Sequence, residues 1–165
     1  MTQTEYVKFI ANVKETIKKQ PIPPDYNQSE WKGLGVNCYL YAMRARMDFS
    51  DISGSFVRPG FLAEKEKNEY KYEKKFVLEN FRADCKALDL NVCLSSLEEH
   101  TGEGEYKIAV YVAEDYDFHF RRQNSNGEWS EVNGWYGQMR CIKPESITQD
   151  DDDYKFCGIF KVSKK

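Results

Sequence analysis

The chain opens on helical periodicity. Across residues 4–19, Tyr6, Phe9, Ile10, Val13 and Ile17 recur every three to four positions, which gathers them on one stripe and leaves the charged residues to the other faces. Thr2 or Thr4 can cap the start of this helix, and Pro21, Pro23 and Pro24 stop it. Gly33 and Gly35 mark a loop. Asn37 then serves as N-cap for a short helix predicted over 38–47, and a second loop holds Gly54, Pro59 and Gly60. A second long helix is predicted over 66–88, where Phe76, Val77, Phe81, Cys85 and Leu88 form the apolar stripe.

From residue 91 the alternation changes to that of strands, predicted over 91–95, 106–113, 118–122, 128–132, 139–142 and 155–162. Asn124-Ser125-Asn126-Gly127, between the third and fourth, is the strongest hairpin signal in the chain. Helices followed by a run of strands predict an α+β fold, with N-terminal helices packed on a C-terminal antiparallel sheet.

Length and composition narrow the picture. A chain of 165 residues suits one domain over residues 1–165, and 41% hydrophobic with 15% aromatic residues supplies core enough without disulfides or a structural metal. The net charge of -3, with no basic stripe, argues against nucleic acid as a partner. Lysines and glutamates mixed over 64–75 read as a solvated helix face. Residues 1–19 lack the apolar run of a signal peptide, and no segment is long enough to cross a bilayer, so a cytoplasmic location and no membrane partner are expected. The acidic run 150–153 lacks the spaced oxygen ligands of a calcium loop, and no cofactor or metal is expected.

The five cysteines form no CxxC pair and no zinc spacing. Cys85, Cys93, Cys141 and Cys157 read as core residues, and Cys38 carries the chemistry. At the first turn of a helix a sulfur faces the positive end of the macrodipole and free backbone N–H groups, which favour the nucleophilic thiolate and suit an oxyanion. Gly35 would let a substrate backbone approach, and Gln28 or Asn37 would add a second oxyanion donor. His119 supplies the base. It alternates with Phe118 and Phe120 and so points to the other face of its strand. His100, in a polar turn, reads as a surface residue. Glu131 or Asn133 would orient His119 from the returning strand, the choice depending on register. Trp129 and Trp135 could wall a cleft.

A nucleophile at a helix start followed by a base on a sheet resembles the papain-like fold of cysteine proteases and of NlpC/P60-type amidases. Asn37-Cys38-Tyr39, Asp117-Phe118-His119, Gly127-Glu128-Trp129-Ser130 and Phe156-Cys157-Gly158 are similar to motifs of uncharacterised bacterial and phage proteins of that layout. The chain departs from them in carrying Glu131 where they have a second histidine and Asn133-Gly134 where they have Pro-Gly. The expectation is a cysteine hydrolase, a peptidase or amidase acting on a peptide or amide through a Cys38–His119 dyad. The alternative is an inactive papain-like binding or inhibitor protein in phage–bacterial conflict, meeting a protein partner through the aromatic stretch around Trp135.

Overall fold

Thr2 starts the first helix, α1 (Gln3–Lys18), through a reciprocal capping box: its hydroxyl accepts from the Glu5 N–H at 3.1 Å, and Glu5 accepts from the Thr2 N–H at 2.9 Å. Ile10, Val13 and Ile17 form its buried face. The computed structural model describes residues 1–50, 57–65, 69–133 and 138–165. A single turn, α2 (Gln28–Trp31), buries Trp31, and α3 (Cys38–Ala42) follows, capped by Asn37 as expected.

Helix α3 ends well before residue 47, because Arg44 leaves the helical region at φ 66°. The turn aims its buried guanidinium at the end of α1, where it donates to the carbonyls of Ile17 (3.2 Å) and Gln20 (3.0 Å). The Ile17 carbonyl also accepts from the Gln20 N–H at 3.1 Å in the turn that ends α1, so one residue terminates α3 and closes α1.

The fourth helix, α4 (Lys74–Ala87), starts later than its charge pattern suggests. Residues 69–73 are not helical. Tyr70 donates to the Pro59 carbonyl at 3.0 Å, and the Tyr72 carbonyl accepts from the Asp115 N–H at 3.0 Å. Before Phe76 the aromatic residues of the charged run, Tyr70 and Tyr72, stand two apart rather than at helical spacing, and propensity alone holds a helix weakly. Residues 66–68 of the expected helix lie outside the described residues.

Six strands follow: β1 (Leu90–Ser95), β2 (Glu105–Ala113), β3 (Asp117–Gln123), β4 (Trp129–Asn133), β5 (Gln138–Ile142) and β6 (Tyr154–Lys164). They form one antiparallel sheet in the order β1-β6-β2-β3-β4-β5, with the last strand inserted between the first two. The fold is therefore α+β, with helices first and an antiparallel sheet after them.

On one face Tyr106, Ile108, Val110, Phe118, Phe120 and Phe160 pack beneath the helices, with Tyr39–Phe120 ring centroids at 4.7 Å and Phe81–Phe160 at 5.7 Å. On the other, Ala109, Tyr111, Trp129 and Ile159 are covered by Ile147, which follows the 3₁₀ turn Pro144–Ser146. Trp129 is thus a core residue rather than a cleft wall.

Cys85 is buried and Cys157 half-buried against the main core, but Cys93 and Cys141 are exposed, against expectation. They lie on β1 and β5, the two edge strands, whose outer positions have no layer over them. Among the described residues no helix is long and apolar enough to cross a membrane.

Candidate active site

Two ladder pairs, Arg122↔Ser130 and Gln123↔Trp129, set the faces of the β3–β4 hairpin. Phe118, Phe120 and Val132 go to the helical side. Tyr41 reaches Ser130 there, hydroxyl to hydroxyl at 2.6 Å. His119, Arg121 and Glu131 go to the opposite side. A cleft of about 400 Å³ draws on both sides, with Cys38 and Phe118 from the first and His119, Arg121, Tyr111 and Glu131 from the second. The start of α3 thereby meets the strand-borne histidine.

Three groups form a chain in this cleft. The Cys38 thiol lines the same cleft as the His119 ring, close enough to favour the protonated imidazole. His119 Nε2 lies 2.9 Å from Glu131 Oε1, which leaves Nδ1 for the sulfur. The same carboxylate oxygen accepts from Arg121 Nε at 2.6 Å, and Glu131 Oε2 accepts from Arg140 Nε at 2.7 Å. Arg121 is tied in turn to the Tyr111 hydroxyl (3.3 Å) and to Asp151 (3.5 Å). Tyr154 packs its ring edge-on to His119 at 6.1 Å and donates its hydroxyl to Asp117, whose other oxygen accepts from the Phe118 N–H at 2.8 Å.

These contacts set the ionisation of the site. Burial is the strongest influence on His119 and pushes its pKa down. The hydrogen bonds and negative charge of Cys38 and Glu131 outweigh it and raise the imidazole to about 9. Burial likewise pushes Glu131 upward, but His119 and Arg121 hold it down at about 2. Glu131 is therefore a fixed anion although its side chain is only 1% exposed. Burial and the bond to Asp117 both raise Tyr154, so its hydroxyl stays protonated.

Of the residues singled out from sequence, Cys38, His119 and Glu131 come together. The carboxylate of Glu131, not Asn133, bonds the histidine, and Asn133 lies at the exposed end of β4 on the rim. Asn37 also lines the cleft. Its Oδ1 accepts from the Leu40 N–H at 2.8 Å and its Nδ2 donates to the Val57 carbonyl at 2.7 Å, so the side chain holds the backbone in place. Gln28 is not a lining residue; its amide donates to the Tyr26 hydroxyl at 2.8 Å and the Met139 carbonyl at 3.4 Å. Gly35, at φ 70°, has room for no side chain, since a Cβ would fall 3.0 Å from the Ser50 nitrogen. Trp135 lies outside the described residues. His100 is exposed, away from the cleft.

Sequence reasoning passed over Asp117, Arg121, Arg140 and Tyr154. The first two were within reach, because Asp117-x-His119-x-Arg121 alternates and shares a face. Arg140 and Tyr154 arrive through strand pairing and loop return. Among the described residues no group of three or more His, Cys, Asp or Glu side chains could hold a metal ion. No family model matches the chain, and searches of curated proteins and of solved structures found no match.

Proposed function

We propose that the protein is a cysteine-dependent hydrolase, a peptidase or amidase, with Cys38 as nucleophile, His119 as proton carrier and Glu131 as the group that orients the imidazole. The observation that carries this reading is that the Cys38 thiol and the His119 ring line one open cleft, with a buried carboxylate bonded to His119 Nε2. Nucleophile at a helix start, base on an antiparallel sheet and orienting group on the next strand is also the papain-like layout.

At neutral pH His119, raised to about 9, holds the proton it shares with the Cys38 sulfur. The sulfur adds to a substrate carbonyl carbon, forming a C–S bond while the carbonyl electrons move to oxygen. Near that oxygen the Cys38 and Tyr39 N–H groups belong to the first turn and precede the helical ladder, whereas those of Leu40 and Tyr41 are already taken by Asn37. Collapse breaks the C–N bond, and His119 delivers its proton to the leaving amine. Water then attacks the thioester with His119 taking a proton, and the C–S bond breaks to release the acid. Glu131 keeps Nδ1 aimed at the sulfur throughout and compensates the imidazolium; at about 2 it does not itself become protonated.

Alkylation by iodoacetamide at pH 7, mapped by peptide, tests the dyad with the exposed Cys93 and Cys141 as internal references. Cys38 is expected to react at least tenfold faster than either reference, and His119→Ala to remove that advantage. A Cys38 that alkylates no faster than Cys93 in the intact protein would sink the proposal.

A further inference from the structure

The two arginines on Glu131 are not equally engaged. Its two oxygens bind His119, Arg121 and Arg140, and Asp151 at 3.5 Å from Arg121 is the second carboxylate of the group. Glu131, Asp151 and the Cys38 sulfur that shares the His119 proton match the two guanidiniums and the imidazole, so what separates the arginines is how fully each is engaged. Arg121 has a side chain 6% exposed and is held by Glu131, Tyr111 and Asp151. Arg140 is 55% exposed, and its Nε alone is engaged. Its two amino groups make no other hydrogen bond or ion pair among the described residues. A guanidinium anchored by Nε and open at Nη1 and Nη2 presents the fork that a carboxylate takes in a paired bond.

The position of that fork is informative. Arg140 lies on β5 beside the cleft, and with Arg121 and Asp151 it also lines a second depression of about 330 Å³, which runs on past Lys143, Ser146 and Gln149. The nucleophile's cleft thus continues into a polar groove, with Arg140 at the junction. The opposite wall carries Asp117 and Tyr154, already joined to each other, and repels an anion. Arg140, on the β5 side, offers it a cation, while Arg58, which also lines the cleft, is engaged over the Tyr70 ring at 4.3 Å.

We infer that Arg140 is a specificity residue: the cleft takes amide substrates bearing a carboxylate a few bonds from the scissile carbonyl, and Arg140 binds that carboxylate through its open fork. The inference rests on the reading of Cys38 as nucleophile and adds the substrate class to it.

A matched pair of alkylating probes separates the two. N-iodoacetyl-β-alanine carries a carboxylate a few bonds from the carbon that alkylates Cys38, and its primary amide is neutral with the same shape. The ratio of their rates at Cys38, divided by the same ratio for free cysteine, reads anion preference and cancels any change in the sulfur itself. That normalised ratio is expected to be about tenfold in favour of the acid at low salt and to shrink as ionic strength rises. It should fall to near one in Arg140→Gln and be partly kept in Arg140→Lys, which retains charge without the fork. A ratio near one in the unaltered protein, or one unmoved by Arg140→Gln, overturns the inference while leaving the hydrolase reading standing. If the neutral probe reacts at Cys38 no faster than at Cys93, both fall together.

Discussion

At the scale of single residues, Glu131 does the most with the least exposed surface. A carboxylate buried to this degree survives as an anion only because three cationic donors replace its water, and the same donors fix where it points. Glu131→Gln keeps the shape and removes the charge. It leaves Arg121 and Arg140 without their shared partner and deprives the imidazolium of one of its two supports. The expected cost is about 3 kcal/mol in urea unfolding, the scale for breaking a buried pair on one side. The His119 ring proton resonances should also titrate lower than about 9 in that variant. An unmoved titration would remove Glu131 from the site. Alternation with Phe118 and Phe120 was enough to place His119 on the face away from the main core. The choice of Glu131 over Asn133 was not legible, because a one-residue slip of register exchanges faces and only the paired hairpin fixes it.

At the scale of elements, α3 is held more by its ends than by its length. Five residues cannot sustain a helix alone, so Asn37 at the start and Arg44 just after the end carry it. Asn37→Ala deletes both the cap and the strut to Val57, and is expected to cost ~1–2 kcal/mol in denaturant unfolding and to slow alkylation of Cys38. Asn37→Asp keeps the cap acceptor and loses the strut, so it should recover part of the stability. Equal losses in the two variants would assign the effect to the strut alone. The Asn37 cap was readable from residue type and position. The early stop of α3 was not, because it comes from a guanidinium serving a helix that is distant in sequence. The late start of α4 has a similar origin, in the bond from the Tyr70 hydroxyl to the Pro59 carbonyl and in the Tyr72 carbonyl's acceptance from the Asp115 N–H.

At the scale of the whole molecule, the His119–Glu131 pair ties stability to pH. His119 is raised from 6.5 to about 9 by folding, so its contribution is complete below 6.5 and disappears as pH rises through 9. Glu131 is lowered from 4.5 to about 2, so its contribution is complete above 4.5 and disappears as pH falls towards 2. For this pair the two windows overlap between 4.5 and 6.5. Urea midpoints are expected to be highest there and to drop on both sides, by roughly 3 kcal/mol at each extreme. Glu131→Gln should flatten the acid limb, and a midpoint flat from pH 3 to 9 in the unaltered protein would contradict the assignment. The sequence by itself determined the class of fold and the strand positions, because burial period and turn chemistry are local properties that survive without tertiary detail. It also picked out Cys38 and His119, each from its own neighbourhood. The three-dimensional arrangement decided which carboxylate stands behind the histidine, which arginine faces the cleft and where two helices end, because each depends on partners brought together across many residues by strand pairing and packing.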